Sequence, residues 1–134
     1  MRILVLMFFL AGMSCNVMAK DETVEVGKGF GGNRAFAYTD SMHKLGGDVI
    51  MWDLLNASTP QNLSGHSPYL SMVSQVQYSC EKKRTRTLFI NYWSQKDGKG
   101  DKILFVDNST LLDWKPVQSG TAQEALFKFA CDKK

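Results

Sequence analysis

The chain holds three cysteines and two histidines, and their positions limit the chemistry open to it. His43 and His66 stand far apart, and neither lies at zinc-ligand spacing from a cysteine or from the other histidine. Asp40 and His43 are close in sequence, but no G-x-S-x-G elbow or comparable nucleophile accompanies them. Both histidines are therefore expected at the surface. Gly27-Lys28-Gly29-Phe30-Gly31-Gly32 satisfies the letters of G-x-G-x-x-G. That motif holds a pyrophosphate only where it follows a strand and opens a helix. Here a polar stretch precedes it and no amphipathic helix follows, so it reads as a flexible turn. No catalytic residue, cofactor or metal is expected.

The cysteines point to an oxidising compartment. Arg2 is the one charged side chain before Lys20, and Ile3 to Ala11 is an unbroken apolar run. That run is too short to span a bilayer, which takes about 20 residues. A basic start, a short apolar centre and an A-x-A-like end at Val17-Met18-Ala19 form the layout of a secretory signal over 1–19. Cleavage after Ala19 leaves about 115 residues, one domain with one core. It also removes Cys15 and leaves Cys80 and Cys131 as an even pair, expected as a disulfide; the alternative is two buried free thiols. Such a bridge closes a loop of about 50 residues, worth on the order of 4 kcal/mol in the chain-entropy model.

The densest basic cluster is Lys82, Lys83, Arg84 and Arg86. Its plainest role is a solvated turn whose arginine stems cover a sheet edge. Its functional role is a partner-binding patch for an anion or a protein, with Lys96, Lys99 and Lys102 as further members. The net charge of +3, one unit of it from Arg2, is too small a basic field to predict nucleic-acid binding. Trp52, Tyr92, Trp93 and Trp114 are expected mainly in the core, with one of Tyr92 or Trp93 exposed.

The elements that must position these residues are mostly strands. Residues 20–33 are polar and glycine-rich and read as a flexible N-terminal segment, followed by a domain over 34–134. Arg34–Tyr38 alternates weakly as a first strand. Asp40-Ser41 opens a turn or short helical segment ending at Gly46-Gly47. Asp48–Leu55 is apolar on both parities, as a central strand would be, and Asn56–Pro68 collects loop formers. Tyr69–Cys80 alternates most clearly, with Leu70, Met72, Val76, Tyr78 and Cys80 on one parity and a bulge expected near Val73-Ser74. Arg84–Ser94 and Asp101–Val106 pair across the turn residues Asp97–Gly100. Thr121-x-x-Glu124 is a capping box. It opens a helix whose Ala122, Ala125, Leu126 and Phe129 share a face. Ten or so residues of helix are not stable alone in water, so this one must dock. The fold class is therefore α+β: an antiparallel meander with a C-terminal helix packed on it and tied to it by Cys80–Cys131.

Taken in order, Tyr38-Thr39-Asp40-Ser41, Gly47-Asp48-Val49, Trp52, Tyr69-Leu70-Ser71, Ser74 to Cys80, Arg84-Thr85-Arg86, Tyr92, Trp114 and the helix bearing Cys131 resemble the surface-adhesin protein E-like family of bacteria. The resemblance covers about Arg34 to Cys131. It implies a helix held on an antiparallel sheet by a disulfide, no catalysis and no cofactor. The family takes its name from a surface lipoprotein that adheres to host extracellular proteins. A lipoprotein signal would carry Leu three residues before the acylated Cys, and Gly12-Met13-Ser14-Cys15 does not. The expectation is thus a periplasmic or secreted product, with lipid anchoring at Cys15 as the alternative. The leading function is an exported, non-enzymatic binding module for a host extracellular or envelope protein, with no membrane span and a homodimer left open. The competing readings are a small periplasmic enzyme or enzyme-inhibitor-like factor, or a structural subunit of an envelope assembly.

Overall fold

Alternation along Tyr69–Ser79 sends Met72, Ser74, Val76 and Tyr78 to one face and Ser71, Val73, Gln75 and Gln77 to the other. That strand lies near the middle of the sheet in the computed structural model, which describes residues 23–132. The signal expected over Met1–Ala19, with Cys15, lies outside the described residues. The strands are β1 (Thr23–Lys28), β2 (Arg34–Tyr38), β3 (His43–Leu45), β4 (Asp48–Gln61), β5 (Tyr69–Ser79), β6 (Arg84–Trp93), β7 (Lys102–Asp107) and β8 (Lys115–Pro116). They form one antiparallel sheet in the order β1-β2-β4-β5-β6-β7, with β3 on β4 and β8 on β6. A C-terminal helix, α1 (Ala122–Asp132), packs on one face. The α+β meander with its docked helix is the fold the alternation and capping signals implied.

The core lies under that helix. Val49 and Met51 of β4, Val76 and Tyr78 of β5, and Ala35 and Ala37 of β2 meet Ala122, Leu126 and Ala130. Fully burying a side chain such as Leu126 contributes about 1.5–3 kcal/mol. Small residues set how close the helix comes. A Cβ on Gly27 would stand 2.6 Å from the Ala125 Cβ, and one on Gly29 would stand 2.5 Å from the Ala122 nitrogen. Residues 23–33 thus carry an edge strand and a close-packing surface for α1, where the sequence suggested a flexible segment. The Thr121 hydroxyl accepts the Glu124 N–H at 3.2 Å, the forward half of the capping box. Cys80 and Cys131 are joined with a Cα–Cα distance of 5.6 Å, so the far end of the helix is held to the end of β5.

Two local departures matter for the surface. β4 runs on through Gln61, where Asn56–Pro68 had read as loop. The bulge lies in β6 and not in β5: Gln75 faces Phe89 and Val76 faces Thr87, leaving Leu88 without a partner on β5. One extra residue shifts the side-chain parity of everything beyond it. Arg84 and Arg86, even-numbered, and Phe89, Asn91 and Trp93, odd-numbered, consequently share the face away from the helix.

Candidate functional site

The face away from α1 carries Trp52 on β4, Gln75 on β5, Phe89 on β6 and Phe105 on β7. Trp52 and Phe89 are the partners of Gln75 on either side. The three rings lie nearly parallel: Trp52 to Phe89 is 6.3 Å between centroids at 17°, and Phe89 to Phe105 is 6.1 Å at 11°. Trp52 and Phe89 are half-buried, and Phe105 is 52% exposed. The bulge at Leu88 brings the arginines beside this row. The Arg84 guanidinium sits 4.6 Å from the centre of the Trp114 ring and that of Arg86 5.5 Å from it, both within cation–π range. Arg86 also donates to the Gln77 Oε1 at 2.7 Å and to the Leu111 carbonyl at 3.1 Å, and Gln77 donates to Asp48 at 2.7 Å. The Nε groups of both arginines are buried without an acceptor. Among the described residues no carboxylate forms an ion pair with either. Two positive charges are thus held on an aromatic ring with no anionic side chain among the described residues paired to them.

The far end of this face is closed by the β6–β7 connection. Asn56 and Asp97 exchange two hydrogen bonds of 2.8 Å, and the Ser71 hydroxyl donates to the Gln95 carbonyl and accepts from the Gly98 N–H. On the same face Leu54, between Phe36 of β2 and Val73 of β5, is buried.

On the helix side a small cleft opens toward β6. Asp53, Ser74, Thr87 and Gln123 supply its polar groups. Asp53 is 2% exposed and accepts a 2.6 Å hydrogen bond from the Tyr78 hydroxyl. Burial pushes its carboxyl up to about 7, against the smaller opposing effect of the Tyr78 hydrogen bond. Tyr78 is pushed well above 10, first by burial and then by Asp53, so it stays a neutral donor.

The residues singled out from sequence are distributed as follows. Lys82 and Lys83 project from the β5–β6 turn and are exposed, while Arg84 and Arg86 lie half-buried on the outer face. Lys96, Lys99 and Lys102 belong to the other end of β6, about 30 Å away along a ten-residue strand, with Lys102 over the Trp93 ring at 5.3 Å. They do not join the patch. Trp52, Tyr92, Trp93 and Trp114, expected mainly in the core, are half-buried on the two sheet faces; among the described residues the fully buried aromatic is Tyr78. Both histidines are exposed, as expected. Among the described residues no cluster of His, Cys, Asp and Glu is placed to hold a metal, and no helix is long and apolar enough to cross a membrane. Sequence reasoning missed the Trp52–Phe89–Phe105 row, because its three members lie on three strands. It also missed Leu111 and Leu112, 53% and 79% exposed in the segment leading to Trp114.

Neither the curated proteins nor the solved structures give a significant match to this sequence. A family model does: the one described as surface-adhesin protein E matches residues 24–132, from β1 through the end of α1. With the stapled helix, the antiparallel meander and a match over most of its length, the chain belongs to the surface-adhesin protein E family.

Proposed function

We propose that this protein is an exported, non-enzymatic binding module whose outer sheet face engages an acidic surface of a host extracellular or envelope protein. One observation carries the reading: Arg84 and Arg86 are fixed on Trp114 with no carboxylate partner among the described residues, beside the exposed end of the Trp52–Phe89–Phe105 row. Arginine and aromatic side chains dominate the energetics of protein interfaces, and an unneutralised guanidinium pair favours an anionic counterpart. Lys82 and Lys83 add charge at the rim, where they speed encounter more than they add affinity. Membership of the surface-adhesin protein E family supports adhesion as the role.

The observation that favours an enzyme is Asp53, a buried carboxyl poised near neutrality in a cleft. Its neighbours argue against it. Tyr78 is a neutral donor to it, and both histidines are exposed elsewhere. The hydroxyls of the cleft lining, Ser74 and Thr87, are not hydrogen-bonded to it, as a nucleophile activated by a base would be.

The test is a binding panel of extracellular matrix and envelope proteins against the disulfide-bonded protein and the Arg84→Gln/Arg86→Gln variant. A partner bound through this face should lose about tenfold or more in affinity, and its affinity for the unaltered protein should fall with salt. Equal affinity of the two proteins for every partner in the panel would remove the outer face from the account.

A further inference from the structure

Helix α1 covers only part of its sheet face. It packs on β1, β2, β4 and β5, and beside it toward β6 lies a cleft of about 180 Å³. An apolar cavity of about 150 Å³ admits benzene, so this one has room for a ligand of five or six non-hydrogen atoms. Its inner wall is buried, formed by Asp53, Ser74 and Leu126, while Leu55, Ile90 and Gln123 at the rim are half-buried. The cleft therefore has a closed floor and a side open to solvent.

Its chemistry is one-sided. Asp53 is the single charged residue among the described residues lining it, so this lining supplies no countercharge when the carboxyl ionises. Burial of an unpaired charge is costly. Tyr78 satisfies only one acceptor position, and a carboxylate has about four. Ser74 lies directly opposite Asp53 in the β4–β5 register, which brings a hydroxyl acceptor to the same end of the cleft.

We infer that the cleft between α1 and strands β4 to β6 binds a small organic cation, with a primary ammonium on the Asp53 carboxylate and a short alkyl chain against Leu55, Ile90 and Leu126. An ammonium offers three donors and no acceptor, which suits the Asp53 carboxylate with the hydroxyl oxygens of Ser74 and Thr87. The groups facing Asp53 are Ala37 on β2, Tyr78 and Ser74 on β5, Thr87 on β6, and Gln123 and Leu126 on α1. Of these and Asp53, only Asp53 changes charge between pH 5 and pH 8. Cation binding must then tighten as pH rises through this range.

The experiment is an NMR titration of the disulfide-bonded protein with n-butylammonium chloride, and with n-butanol as its neutral counterpart, at pH 5.5 and pH 8. A ligand this small binds at about millimolar concentration. We expect saturable shifts confined to the cleft, at residues such as Ser74, Ile90, Gln123 and Leu126. Affinity for butylammonium should be about tenfold or more tighter at pH 8 than at pH 5.5, following the ionised fraction of Asp53. Butanol should bind about tenfold or more weakly than butylammonium at pH 8. Asp53→Asn, which keeps an acceptor for Tyr78, should abolish the pH dependence and the preference for the cation. Shifts scattered over surface carboxylates, pH-independent affinity, or equal binding of the alcohol would each overturn the inference, and all three are read on the unaltered protein.

Discussion

Asp53 is the residue at which folding and chemistry conflict most directly. It occupies a β4 position whose neighbours Met51 and Leu55 serve the helix side, and among the described residues it accepts only Tyr78 as a side-chain partner. Its carboxyl rises from 3.8 to about 7 on folding. A carboxyl raised by folding holds its proton more tightly in the native state. Its contribution to stability is therefore fully present below pH 4 and is lost as pH rises to about 7. A shift of about three units corresponds to on the order of 4 kcal/mol, a large part of the margin of a small domain. Asp53→Asn removes the titration and leaves an oxygen for Tyr78. Urea denaturation should show the variant gaining on the unaltered protein between pH 4 and pH 7, with the difference level above pH 8. A constant difference across that range would mean the carboxyl does not change its affinity for protons on folding. Tyr78→Phe should act in the opposite sense. It removes the one donor that favours the charged form, so its cost, about 1–3 kcal/mol, should be greater at pH 8 than at pH 4.5.

At the scale of elements, the helix depends on what lies beneath and beside it. Eleven residues cannot hold a helix in water unaided; docking against glycine and alanine, and the tie at Cys131, supply the rest. Gly27→Ala should lower stability by about 1–3 kcal/mol through the clash of its new methyl with that of Ala125. Ala125→Gly alone should cost about 1 kcal/mol in helix propensity, yet in the Gly27→Ala background it should restore stability. A thermal double-mutant cycle should thus return a coupling of about 0.5–3 kcal/mol; additive effects would show that the two backbones adjust apart freely. Reduction of Cys80–Cys131 should cost about 2–5 kcal/mol and be read first as loss of helical circular dichroism. Much of this arrangement is legible in the sequence. Period-two alternation marks β5, the Thr121-x-x-Glu124 pattern marks the start of α1, and the even pair of cysteines marks the tie. β1 is not legible, because it is an edge strand with Glu25 and Lys28 among its apolar residues and its glycines look like turn formers. The β6 bulge is hidden for a different reason. Arg84–Trp93 is rich in β-formers on both parities, so nothing local says where the register slips; only pairing with Gln75 and Val76 fixes Leu88 as the extra residue. The outer face proposed for binding is illegible for the same cause, since without the bulge Arg84 and Arg86 would point to the helix.

Across the whole molecule, the two faces of one sheet are built differently. The helix side holds the core and a cleft of restricted size. The other side is covered at one end by the β6–β7 connection, through Asn56, Ser71 and Asp97, and is left open where the rings and arginines stand. A partner approaching that open part meets Phe105 first, since Phe105 is more than half exposed while Trp52 and Phe89 are half-buried behind it. Phe105 also lies on β7, the edge strand, where truncation disturbs few neighbours. Phe105→Ser should therefore change stability by less than about 1 kcal/mol while weakening a partner bound through this face by about 1–2 kcal/mol, or roughly 5- to 30-fold. Lys128→Ala, on the exposed side of the helix with only a solvent-screened pair to Glu124, is the matched control and should leave that affinity unchanged. The two variants separate the faces by one dissociation constant each. Affinity lost on Lys128→Ala and kept on Phe105→Ser would place adhesion on the helix side, and would make the unneutralised arginines a feature of packing rather than recognition.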